Sequence, residues 1–347
     1  MPTTNISFSD CVRHLYVRKL NTISKCCVYG MRKWLFESEH YAVTDSQNNY
    51  VELCYYDEQE LLSVWASDVS RLSCAAFESV ANVKTSGITN KFLAWNLVQY
   101  YYSAFYSAHS ILKILGYGLV QLDGMIIDRL SRKAMAAGIT ISSSINRGMY
   151  CIKFESNNKL ILYKVNRYDD SHKGLWKRFF EILSVLNGEY VDTNLLNNDC
   201  IRIRQSNESI PLSFWGRVEQ NDALDVQNRI SQLKSIMNLK GDQNWLSYIR
   251  NIVNYNHGLG SWYPYFDYSR NYEKVVLFQK SCFENFLDKQ FDVINSDDDI
   301  LKFTKTCQLI NAMNYDLLVD LKERNPESKS FIKDPCFKYI NLLKRKI

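Results

Sequence analysis

Between positions 245 and 258 the chain reads Trp-Leu-Ser-Tyr-Ile-Arg-Asn-Ile-Val-Asn-Tyr-Asn-His-Gly. Arg250 and His257 stand seven positions apart. On an α-helix advancing about 100° per residue, their directions differ by only some 20°. With Asn254 between them, one helix face carries a permanent cation, an amide and a titratable imidazole. Leu246, Ile249 and Val253, with Ile252 beside them, fall on another face that buries the helix and leaves the polar group toward a groove. These residue types suit cleavage of an RNA phosphodiester without a metal. An imidazole titrating near about 6.5 can take the proton of a ribose 2′-hydroxyl or give one to the leaving 5′-oxygen, a role worth about 10²- to 10⁴-fold in rate. Arg250 would offset charge on the phosphoryl oxygens with its planar fork of donors, and Asn251 or Asn254 could orient the phosphate or the imidazole. One helix supplies one imidazole. A paired acid and base then requires a second His257 from a symmetry-related subunit, so the chemistry predicts a homodimer through the motif helix.

A helix-rich frame must hold that segment. The chain has 347 residues with only 13 Gly and 5 Pro, a scarcity that argues against an all-β sandwich or barrel. A hydrophobic share of 46% excludes disorder and low-complexity classes. Three-to-four spacing predicts helices over about 57–83, 89–116, 121–137, 173–186, 217–239, 242–256, 271–293 and 299–323. The first stops before Thr85-Ser86-Gly87, and the second runs from an N-cap near Thr89-Asn90 to Gly116. Within that second helix Leu97, Tyr101, Ala104, Ala108, Ile111 and Leu115 form a core seam. Trp95, Gln99, Tyr102, Tyr106, His109 and Lys113 form a second stripe with polar tips, bordering a cleft or a subunit contact. Residues 8–37 read as a basic helical region, either a solvated face or a phosphate-contacting one. Residues 41–56 read as a short hairpin, and 139–144, 149–154 and 160–165 as a β-rich island turning at Asn157-Asn158.

The common chemical signatures are missing from the sequence. It contains no C-x-x-C, H-E-x-x-H, P-loop, dinucleotide fingerprint or G-x-S-x-G, so no metal site and no cofactor is expected. Ten scattered cysteines in a chain of this size read as reduced, mostly buried thiols. The N-terminus lacks a secretory pattern, and the most apolar stretch, 92–120, carries Gln99, His109 and Lys113, which points to a cytoplasmic protein with no membrane segment. A net charge of +5 is compatible with a polyanionic partner without requiring one.

Arg250-Asn251, followed by five residues and His257, resembles the R-x(4–6)-H motif of HEPN domains (higher eukaryotes and prokaryotes nucleotide-binding). The stretch from Tyr101 to Leu112, Tyr-Tyr-Ser-Ala-Phe-Tyr-Ser-Ala-His-Ser-Ile-Leu, is similar to the small-and-aromatic helix that opens many HEPN bundles. The two stretches, of 8 and 12 residues, cover about 6% of the chain. The resemblance implies a mainly α fold: a HEPN-like antiparallel helical bundle with a small β-hairpin insertion. It also implies a dimer across the motif helix, and metal-independent endoribonuclease activity of the toxin or abortive-infection kind, with an antitoxin or phage-sensing protein as a partner. The expected organisation is an N-terminal basic region with hairpin (1–55), a HEPN-like domain (56–323) with a β-rich insertion at about 137–170, and a basic tail (324–347). Arg250, His257 and Asn251 are the expected catalytic residues. Asn254, Tyr255, Tyr102 and His109 are expected to bind RNA.

Two plainer alternatives stand beside this one. Arg250 pairs with a carboxylate while His257 closes the helix beside Gly258, where a cation is favourable. The protein is then a silent HEPN-like module that binds RNA or nucleotide, or a helical interaction scaffold. The aromatic run Ser-Trp-Tyr-Pro-Tyr-Phe at 261–266 either stacks on bases or packs back onto the bundle.

Overall fold

The computed structural model describes residues 7–24, 27–47, 50–89, 93–139, 145–155, 157–165, 171–187, 220–262, 298–324 and 336–344. Helices dominate, and the strands form one five-stranded antiparallel sheet. The elements are α1 (Phe8–Val12), α2 (Met31–Glu37), β1 (Tyr41–Gln47), β2 (Tyr50–Tyr55), α3 (Glu58–Thr89), α4 (Leu93–Ile114), β3 (Tyr117–Leu122), α5 (Gly124–Ala136), β4 (Gly148–Glu155), β5 (Lys159–Lys164), α6 (Ser171–Leu186), α7 (Gln220–Met237), α8 (Trp245–Tyr255), α9 (Asp299–Glu323) and α10 (Cys336–Lys344).

The helix α4 is the hub, packing against α3, α6, α8 and α9. Its alanines and serines allow the close approach: Ala94, Ala104, Ala108, Ser103, Ser107 and Ser110 are all buried. The serines are satisfied across the seam. Asn311 of α9 donates to Ser103 Oγ at 2.8 Å and accepts from Ser107 Oγ at 2.8 Å, while Ser73 of α3 meets Ser110 at 2.7 Å. Each residue of the predicted core seam, from Leu97 to Leu115, is buried.

The sheet order is β1-β2-β5-β4-β3. The expected small insertion is thereby corrected: the hairpin of 41–56 and the island strands pair through β2 and β5, with Val51 opposite Leu162, into a single layer. A fifth strand, β3, occupies 117–122, where the sequence reads as the exit from one helix and the entry to the next. Asn157 and Asn158 both take left-handed backbone, the turn that hairpins with right-handed strand twist favour. The strand expected at 139–144 falls, beyond Ile139, outside the described residues, as does the helix at 271–293.

One helix limit moves, and one helical region is divided. The helix α3 continues to Thr89, past the predicted stop, because a glycine inside a long helix costs only about 1 kcal/mol. The basic region of 8–37 is two short helices joined by 3₁₀ turns rather than one helical run. Several of its cations are paired, Arg13 with Asp320 and Lys19 with Glu58 among them. No described helix is long and apolar enough to cross a membrane.

Candidate functional site

The motif helix α8 is anchored by Trp245, Leu246, Ile249 and Val253, all buried, and packs chiefly on α4, with smaller contacts to α7 and α9. Arg250, four positions past Leu246 and three before Val253, shares that buried face instead of the separate polar face expected from the sequence. Arg250 is itself 6% exposed. Its guanidinium lies against three tyrosine rings, with Cζ 5.2 Å from the Tyr101 centroid, 5.9 Å from Tyr102 and 5.8 Å from Tyr255. Its Nη1 donates to Asn251 Oδ1 at 2.7 Å and its Nη2 to His172 Nε2 at 2.8 Å. Arg250 therefore pairs with an amide and an imidazole, where the plainer sequence reading expects a carboxylate. Its Nε is buried with no hydrogen-bond partner among the described residues.

That pairing assigns the state of His172. A guanidinium has donors only, so Nε2 must accept, and the neutral ring carries its proton on Nδ1. The Nδ1–H then donates to Tyr101 Oη at 2.8 Å. The same oxygen accepts from Trp176 Nε1 at 3.0 Å, and Tyr101 also hydrogen-bonds Ser247. Burial raises the Tyr101 phenol well above its usual range. The chain of contacts from Trp176 through Tyr101 and His172 to Arg250 is closed, and both nitrogens of His172 are occupied. His172 therefore holds Arg250 in place and has no lone pair left for proton transfer.

His257 stands elsewhere than the helical wheel puts it. The helix ends at Tyr255, Asn256 is the C-cap, and His257 takes a left-handed backbone with φ of 50°. Gly258 N–H then donates back to the Ile252 carbonyl at 3.0 Å, and a Cβ at Gly258 would collide with Ile252 Cγ2. The 20° alignment of Arg250 with His257 does not apply, since the last residue of the heptad lies past the helix end. His257 is exposed beside Gly258, its ring 5.6 Å from Trp262. Trp262 packs back onto the helix, donating to the Val253 carbonyl, and meets exposed Trp95 at 5.8 Å.

The expected binding residues divide. Tyr102 and Tyr255 border Arg250, and Asn251 is exposed with its oxygen turned to Arg250, which directs its amide donors outward. Asn254 is half-buried on α8. His109 stands apart: the Phe105 ring separates it from the cluster, 4.8 Å from His109 on one side and 4.6 Å from His172 on the other. Burial pushes the His109 imidazole down to about 3.

Sequence reasoning missed His172, Tyr101 and Trp176 as parts of this group. Tyr101 reads as core and His172 as an isolated histidine, and no local spacing links positions 172 and 250. Among the described residues no three His, Cys, Asp or Glu side chains group as metal ligands would. No protein family, curated protein or solved structure matches this chain.

Proposed function

We propose that the protein is a metal-independent endoribonuclease cleaving RNA by attack of a ribose 2′-hydroxyl on the neighbouring phosphorus. As the O2′–P bond forms, His257 takes the 2′-hydroxyl proton. As the P–O5′ bond breaks, the protonated His257 of a two-fold-related copy gives a proton to the departing oxygen. The products are a 2′,3′-cyclic phosphate and a 5′-hydroxyl, with no water and no electrons exchanged. Because both nitrogens of His172 are engaged, the second imidazole comes from the homodimer formed through α8. Arg250 and the outward amide of Asn251 offset and orient phosphoryl charge, with Tyr102, Tyr255 and Asn254 lining the approach. The role as a toxin or anti-phage abortive-infection effector, with an antitoxin or phage-sensing protein as partner, follows from the HEPN resemblance, and the cytoplasmic setting from the lack of a secretory pattern in the sequence.

The observation that carries this reading is the support given to Arg250. A buried guanidinium is held by His172, Asn251 and three tyrosines, with Nε unpartnered, on the helix whose end presents a strained, exposed His257. Non-glycine residues held at positive φ cluster at functional sites at a cost of about 1–3 kcal/mol each.

A second reading has its own observation. One N–H on each Nη of Arg250 is engaged in an internal hydrogen bond, which suits a silent HEPN-like module that binds RNA or nucleotide, or a helical scaffold. Mixed RNAs incubated with purified protein in EDTA separate the two. Cleavage by the wild type that is lost in Arg250→Ala and in His257→Ala supports the nuclease. RNA retained on the wild type without cleavage supports the silent module, and equal cleavage by all three proteins marks a contaminant and removes the support for the nuclease.

A further inference from the structure

On the far side of Phe105 from Arg250, two cavities meet. The outer one, about 670 Å³, runs between α2, the edge strand β3 and the start of α5. Its walls include Val28, Phe36 and Met125, which are 97%, 40% and 62% exposed. Three large apolar side chains left in water around one groove mark a surface built for an apolar group. The inner cavity, about 380 Å³, shares Asp68, Arg71 and Leu119 with the outer one and ends on Tyr106, His109 and Lys113.

The inner wall is charged. Asp68 accepts from buried Lys113 Nζ at 2.9 Å, from Arg71 Nη2, and from the Met31 backbone N–H at 3.2 Å. Lys113 Nζ also lies 3.7 Å from the Trp65 ring centroid. Two cations thus share one carboxylate, and His109 is neutral, so the inner lining carries a net single positive charge. At the rim of the outer groove, Arg32 pairs with Asp123 and Lys33 with Glu37, which cancel. The backbone is shaped to fit the triad. A Cβ at Gly30 would collide with Arg71 and Asp68, and one at Gly118 would stand 2.8 Å from Lys113 Cε. Lys113 and Asp68 form a buried, mutually neutralising pair, while the Arg71 side chain is 54% exposed and presents the unbalanced positive charge where the two cavities join.

The geometry points to a binding site for a small amphipathic monoanion, with its carboxylate-like head on Arg71 and Lys113 in the inner cavity and its apolar body along Phe36, Met125 and Leu119. Arg71 has five donors, and an arginine fork matches a carboxylate in two parallel hydrogen bonds. This site is independent of the RNA-cleavage reading.

Isothermal titration of the full chain at neutral pH with octanoate, octylammonium and 1-octanol tests it, all kept below their aggregation concentrations. One octanoate is expected to bind per chain, about tenfold or more tighter than either of the other two, the ratio that one charge-assisted hydrogen bond supports. Arg71→Gln is expected to abolish that preference, and Leu119→Trp to block all three ligands. The wild-type panel decides the matter even where a variant fails to fold. Equal binding of the three heads overturns the assignment and leaves an apolar groove suited to a protein partner. No octanoate binding at millimolar concentration overturns it too, and so does sedimentation with phosphatidylglycerol vesicles in the absence of octanoate binding.

Discussion

Arg250 and His172, 78 positions apart in the chain, meet at 2.8 Å between Nη2 and Nε2, so α6 rather than α8 supplies the imidazole that fixes the motif arginine. Deleting that acceptor leaves a buried charged donor unpaired. His172→Ala is predicted to cost about 1–3 kcal/mol in urea unfolding, while His172→Gln, which keeps an acceptor within reach, recovers most of the loss. Equal losses for Ala and Gln would show that the ring's packing on Phe105, and not its hydrogen bond, is what matters.

His257 separates stability from activity. Its backbone sits at φ of 50°, which glycine adopts without strain, so His257→Gly is predicted to leave unfolding free energy level or raise it by about 0.5–1 kcal/mol. RNA cleavage in the same variant is predicted to fall by about 10²- to 10⁴-fold. A variant that unfolds early and loses activity in proportion would reduce His257 to a structural residue.

The element types were readable from spacing, and their assembly was not. The run from Leu97 to Leu115 marks the buried face of α4 because apolar and small residues recur every three to four positions. Nothing local announces that Val51 will face Leu162, since that pairing is long-range, and the strand 117–122 is hidden behind the Gly116 that ends α4. At the site, residue chemistry pointed to Arg250 and Asn251, which do meet. The heptad argument for His257 failed because it carried helical periodicity through Asn256-His257-Gly258, a run that unwinds the helix. His172 was invisible for the opposite reason: its importance comes entirely from what the fold brings to it.

The Ser–Asn seam at the hub gives a prediction about packing. Asn311 bridges Ser103 and Ser107 in a fully buried position, so Asn311→Ala takes the acceptor from the Ser107 hydroxyl and a donor from Ser103, whose own hydroxyl keeps the Tyr100 carbonyl, as well as opening space. A loss of about 2–4 kcal/mol by chemical denaturation is predicted, against less than about 0.5 kcal/mol for a change at an exposed helix position such as Glu78→Ala.

Acid should weaken the fold through half-buried His109, with a smaller part from His14, whose residue is exposed. His109 is pushed down to about 3 and His14 to about 4 by burial, so between those values and the ordinary histidine range the unfolded chain binds more protons than the folded one. Stability therefore falls as pH is lowered from about 6.5 toward 4. Asp316, pushed up to about 6 by burial, acts in the opposite sense, favouring the folded state as pH drops below about 6. His109→Gln is predicted to flatten the stability difference between pH 7 and pH 5 measured by urea unfolding, and an unchanged difference would show that His109 titrates normally.

The chemistry of the cut ends tests the central claim most directly. RNA cleaved by the purified protein in EDTA, with its fragments analysed by mass spectrometry, should carry 2′,3′-cyclic phosphates and 5′-hydroxyls, and an RNA with a 2′-deoxy sugar at the cut site should stay intact. Fragments with 5′-phosphates, or cutting that persists at the deoxy position, would contradict attack by the ribose hydroxyl and the roles given to Arg250 and His257.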